Sequence, residues 1–93
     1  MFKRVLLRIR GRIRNRQYIV TEHARQEMTN DLLTVFDIEH VILTGEILER
    51  QRDQQAVEWK YRIRGSSVEN DWVEAVVKIT PTGKVVVLTV YTI

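Results

Sequence analysis

Phe2, Val5, Leu6, Ile9 and Ile13 recur at helical spacing with arginines on the other faces, which predicts an amphipathic helix over residues 2–15. From Arg8 to Arg14 arginine also alternates with Ile, Gly and Ile at strand period, and Gly11 costs a helix about 1 kcal/mol relative to Ala. The helical stripe is the longer signal and takes precedence. Tyr18, Ile19 and Val20 are three bulky strand formers between this segment and Thr21, whose hydroxyl is placed to cap a short helix over 22–30. Thr34 and Asp37 have capping-box spacing, with Asp in place of the usual Glu or Gln. Val35, Ile38, Val41 and Ile42 continue at helical spacing until Gly45 supplies a stop, so a third helix is expected over 35–44.

From Glu46 the period changes to two. Ile47 to Arg52, Glu58 to Arg64, Trp72 to Thr80 and Lys84 to Thr92 read as four strands, punctuated by Gly65-Ser66-Ser67 and Pro81-Thr82-Gly83. Helices followed by closely connected strands imply an α+β domain, with N-terminal helices packed on one face of a twisted antiparallel sheet of about four strands.

Ninety-three residues, 44% of them hydrophobic, suit one core and one domain over 1–93, with a basic amphipathic helix at 1–16 and the body at 17–93. The sequence has no cysteine, which excludes disulfide scaffolds, thiolate metal sites and cysteine nucleophiles and makes a reducing cytoplasm the expected setting. The longest uninterrupted apolar run, Val85 to Leu88, is far short of a membrane span, and Met1 to Arg16 lacks the apolar centre of a signal peptide. No membrane association is expected.

Charge changes this picture. Seven of the fifteen basic residues (Lys3, Arg4, Arg8, Arg10, Arg12, Arg14 and Arg16) lie in the first sixteen positions with no acid, leaving eight basic residues against twelve acids in the remainder. Such an arm repels itself unless a polyanion or an acidic partner neutralises it, and RNA is the first candidate. Arg8, Arg12, Arg16, Arg25 and Arg64 are the expected nucleic-acid contacts. Arginines paired with the protein's own acids on a solvated face are the competing reading. The apolar stripe of the arm also needs covering, which makes a homodimer through the N-terminal helix a third expectation.

Candidate chemistry is narrow. His23 and His40 lie seventeen residues apart with no carboxylate cluster beside either, so no metal site and no cofactor is expected, and the chain has neither a phosphate loop nor a nucleophile elbow. The remaining groups suit metal-free cleavage of a phosphodiester, which needs an acid, a base and cations for the developing charge. His23 is the candidate acid or base, and its place in the first turn of a helix favours a nearby anion; local capping or packing is the competing reading. Lys60, Arg62 and Arg64 share one strand face over ~13 Å, while Trp59, Tyr61 and Ile63 share the other. That cationic row either meets phosphates or pairs with acids such as Glu49 and Glu74 across the ladder. Thr89 and Tyr91 share a face of the last strand, where a tyrosine hydroxyl can position a phosphate or simply be satisfied within a core. His40 reads as structural or surface, Glu46 as a base or an ion-pair partner, and Trp59 and Trp72 as core or partner surface rather than base-stacking platforms.

Taken together, Thr21, His23 and Ala24 with Met28, the run Asp37 to Ile47, the run Glu58 to Gly65, Thr82 to Lys84, and Thr89 to Tyr91 closely resemble a domain-of-unknown-function family of small bacterial proteins. That family is grouped with RelE-, barnase- and colicin-like ribonuclease toxins, and the resemblance covers about residues 17–92. It implies a RelE-like toxin fold, endoribonuclease activity on RNA, most of all messenger RNA, and a cognate antitoxin of the YgiT/MqsA zinc-finger type. Residue by residue it implies that His23 is the acid or base, that Lys60 and Arg62 bind phosphate and stabilise its charge, and that Tyr91 orients the scissile group. A non-catalytic RNA- or protein-binding module of the same fold is the alternative.

Overall fold

The computed structural model describes residues 1–53 and 58–93. Three helices, α1 (Lys3–Arg14), α2 (Glu22–Asn30) and α3 (Val35–Thr44), accompany five strands: β1 (Tyr18–Val20), β2 (Glu46–Asp53), β3 (Glu58–Ser66), β4 (Trp72–Ile79) and β5 (Val85–Thr92). The strands form one sheet in the order β1-β5-β4-β3-β2. Strands β2 to β5 are the expected antiparallel meander, but β1 joins its far edge parallel to β5, with Ile19 opposite Val86. The expectation of about four antiparallel strands is therefore corrected to a five-stranded mixed sheet. Three residues with the right propensity become a strand because β5 offers them a free edge.

Helix α3 lies across β3 and β4, α1 packs on α3 and reaches β5, and α2 runs along β5. Ile9 and Ile13 of α1, Ile38, Val41 and Ile42 of α3, and Ile63, Val73, Val77 and Val87 of the sheet are all buried in one core. Val5 and Leu6 pack against its margin, and Phe2 meets the Tyr61 ring edge-on. The apolar stripe of α1 is thus covered within its own chain and does not by itself call for a second copy.

The helix ends show how local chemistry sets these elements. Thr21 accepts from the Ala24 amide, and Thr34 and Asp37 complete a reciprocal capping box. Helices α1 and α2 each close with a left-handed residue after the cap: Gln17 N donates to Arg12 O beyond Arg16, and Leu33 N donates to Met28 O beyond Leu32. Glycine is usual there, yet this chain uses arginine and leucine. Gly45, by contrast, has an ordinary negative φ. It is glycine because a Cβ would overlap the carbonyl oxygens of Arg64 and Val41, and Gly65 meets Val41 in the same way. The end of α3 therefore rests directly on the β3 backbone. Arg10 secures it from α1, donating from Nε to Ile42 O at 3.1 Å and from Nη2 to Gly45 O at 2.6 Å.

Two bulges decide what the uncovered face of the sheet displays. The register slips between Ile47 and Glu49 on β2, and Leu88 of β5 is passed over where the pairing steps from Val76–Thr89 to Val77–Val87. Without the slip at Leu88, Thr89 and Tyr91 would share the core face of Val85 and Val87; with it, Val90 turns inward and Tyr91 outward. Glu49 is moved in the same way to stand opposite Arg62.

Candidate functional site

The uncovered sheet face carries a polar cluster built on Glu74. This side chain sits between Val73 and Ala75 on β4 and is only 3% exposed. Oε1 accepts from Tyr91 Oη at 2.5 Å and from Arg62 Nη1 at 3.0 Å, while Oε2 accepts from Arg64 Nε at 2.9 Å and Nη2 at 2.7 Å. Arg62 also donates from Nε to Glu49 Oε1 at 2.8 Å. The positions follow from pairing, since Arg64 and Tyr91 both stand opposite Glu74 on its two neighbouring strands.

Burial by itself would raise the Glu74 pKa, but hydrogen bonds from Tyr91, Arg64 and Arg62 outweigh it and bring the group to about 2. The same contacts act in reverse on their donors. Hydrogen bonding to Glu74 raises the Tyr91 phenol, and hydrogen bonds to Glu74 and then Glu49 raise Arg62. At neutral pH Glu74 is thus a fixed anion and Tyr91 a fixed donor. Neither is poised to exchange a proton.

Lys60, Arg62 and Arg64 share this face as the alternation predicts, but the arginines are already engaged by Glu74 and Glu49 across the ladder. Lys60 stands opposite Gln51 on β2 and Lys78 on β4. His23 belongs to a separate cluster. Ala24 and Met28 bury one side of α2, while Glu27 turns to the edge of β5 that β1 leaves open beyond Val20, taking the Val90 amide on Oε1 at 3.0 Å. His23, one turn earlier and 69% exposed, places Nε2 3.3 Å from that same oxygen. The fold therefore brings Arg62, Arg64 and Tyr91 together on Glu74 and leaves His23 with Glu27, with β5 and β4 between it and the strand of Arg62.

The expected nucleic-acid arginines are divided between two sides. Arg8, Arg12 and Arg16 belong to α1 and its C-terminal end, in the helical layer, whereas Arg64 lies on the uncovered sheet face and Arg25 on the exposed side of α2. Arg12 donates to Gln17 Oε1 at 2.9 Å. His40 is structural, with Nδ1 2.6 Å from the Ser66 carbonyl oxygen. The tryptophans occupy opposite faces. Trp59 lies under the guanidinium of Arg50 at 4.0 Å, and Trp72 is 62% exposed on the side of Glu74.

Sequence reasoning treated Glu74 as one possible ion-pair partner and missed that it organises the cluster. The available signal was an isolated acid inside the apolar run Val73 to Val77. Glu27 and Arg10 were missed because their partners are backbone groups 63 and 35 residues away.

Residues 20–92 match the family described as Domain of unknown function (DUF4258), and the chain belongs to it. No curated protein and no solved structure matches the chain. No helix among the described residues is long and apolar enough to cross a membrane.

Proposed function

We propose that this chain is a toxin-like endoribonuclease of RelE-like fold that cuts RNA, with messenger RNA as its main target, without a metal ion. The observation that carries the reading is the pair of guanidinium groups, Arg62 and Arg64, held side by side by one buried carboxylate on rigid strands. Their bonds to Glu74 and Glu49 use Nε and Nη1 of Arg62 and Nε and Nη2 of Arg64. Among the described residues no bond engages Arg62 Nη2 or Arg64 Nη1, which leaves them to meet a phosphate. A pre-aligned fork of this kind stabilises the charge that grows on phosphorus oxygens during attack by the neighbouring 2′-hydroxyl.

His23, whose imidazole has Glu27 as its carboxylate neighbour, takes the proton of the 2′-hydroxyl as the P–O2′ bond forms, and solvent protonates the 5′-oxygen as the P–O5′ bond breaks. Glu74 positions the arginines rather than acting as a base, because its pKa of about 2 leaves it ionised throughout the working range. The scissile phosphate would lie over β5 and β4, between imidazole and guanidinium groups, with Lys60 drawing the adjoining phosphate. A cognate antitoxin of the zinc-finger type is the protein partner that this reading implies.

A second reading has a specific observation behind it. Glu74 and Glu49 already neutralise Arg62 and Arg64, as expected of a binding surface that performs no chemistry.

Incubation of the purified chain with RNA in the presence of a chelator separates the two. Cleavage is expected to leave 2′,3′-cyclic phosphate ends, to fail on a 2′-deoxy substrate, and to fall roughly 100-fold or more in His23→Ala. Salt-sensitive RNA binding without cleavage, unchanged in His23→Ala, would leave only the binding module.

A further inference from the structure

We propose that the cleft at the Trp72 end of the uncovered sheet face is a nucleobase subsite, in which Trp72 stacks on a base whose phosphate is held by Arg64. The proposal deepens the RNA-cleaving reading and rests on it for the class of ligand.

Trp72 opens β4 opposite Ser66, and Glu74 two residues on stands opposite Arg64. Trp72 and Arg64 are therefore diagonal neighbours on one face, ~7 Å apart at Cβ and within reach of each other's side chains. A tryptophan on a sheet face normally packs against a second layer. Among the described residues nothing forms such a layer over Trp72, which is 62% exposed. Beside it is a cleft of about 530 Å³, lined by Trp72, Arg64, Ser66, Glu46, Leu48 and Ile93 among others. This lies within the ~300–1,000 Å³ typical of small-ligand sites, and its mixture of apolar walls with a few polar groups is also typical.

The floor of the cleft is rigid. Gly65 rests on the Val41 carbonyl without a Cβ, and the Ser66 carbonyl accepts from His40 Nδ1 at 2.6 Å. Arg64 is held by two bonds to Glu74 and is not free to fold over the indole. An aromatic plane beside a fixed guanidinium matches a base and its own phosphate, the repeating unit of a single strand. Glu46, the register partner of Arg64, lines the same cleft and offers an acceptor for a base amino group.

The test uses the full chain carrying Trp59→Phe, which leaves Trp72 as the one indole of the two in the sequence. Its fluorescence is titrated with an uncleavable 2′-O-methyl oligoribonucleotide and with an abasic oligomer of equal charge. Saturable quenching is expected from the first and not from the second. Trp72→Ala should weaken binding of the first roughly 10-fold or more, and Trp72→Phe should largely restore it. Equal affinity for the two oligomers, or unchanged affinity in Trp72→Ala, overturns the subsite. Because no cleavage is involved, base-dependent binding by a chain that cuts no RNA would sink the nuclease reading and leave the subsite standing. Cleavage with full affinity in Trp72→Ala would do the reverse.

Discussion

Tyr91 and Glu74 face each other across the β5–β4 ladder, and the tyrosine hydroxyl donates to the glutamate Oε1 on a face that Tyr91 reaches only because of the bulge at Leu88. This contact is part of what holds the Glu74 pKa at about 2 against its ordinary 4.5. A carboxylate depressed on folding contributes stability that is complete above pH 4.5 and is lost as pH falls through 2. A shift of this size corresponds to about 3 kcal/mol.

Glu74→Gln should remove much of this acid-side dependence. Unfolding in denaturant from pH 7 down to pH 2 should show the parent chain losing about 3 kcal/mol more than the variant. At pH 7 the variant should be the less stable, since Arg62 and Arg64 lose their shared partner. Parallel pH profiles for the two chains would show that Glu74 is not linked to folding in this way.

Two glycines should respond oppositely to alanine. Gly65→Ala drives a methyl group into the Val41 carbonyl and should cost roughly 1–3 kcal/mol. Gly11→Ala meets nothing within 4 Å on a helix and should stabilise by about 1 kcal/mol. Thermal melting of both variants reads the signs directly.

Leu32 occupies the left-handed position that ends α2, with φ of 58° and 89% exposure. It has backbone strain to lose and little packing to forfeit. Leu32→Gly should raise stability by roughly 1 kcal/mol, in contrast to the usual effect of replacing leucine, and denaturant titration is the check.

Arg10 and Arg8, two residues apart on α1, should separate cleanly. Arg10→Ala removes the donors to Ile42 O and Gly45 O and should cost about 1–2 kcal/mol of stability with little change in RNA affinity. Arg8→Ala, at an exposed position, should leave the melting temperature within error while weakening RNA binding and reducing its salt dependence. Paired melting and binding measurements on the two variants decide the assignment.

Much of the fold was legible because the signals were local. The stripe from Phe2 to Ile13 produced α1 despite Gly11, the Thr34–Asp37 box marked the start of α3, and alternation in β3 correctly put Lys60, Arg62 and Arg64 on one face. The candidate site was legible only in pieces. Arg62 and Tyr91 do converge, but on a carboxylate that the sequence reading treated as one option among several, and His23 stands apart with Glu27.

The sequence alone determined which segments are helical or extended and which side chains alternate, since these follow from neighbours within a turn or a few strand residues. Tertiary structure decided which face each alternation presents. A single passed-over residue at Leu88 turns Tyr91 from core to surface, the slip between Ile47 and Glu49 moves Glu49 the same way, and the free edge of β5 makes Tyr18 to Val20 a parallel strand. Those outcomes depend on pairing between residues far apart in the chain. No pattern within one strand encodes where its partner will slip.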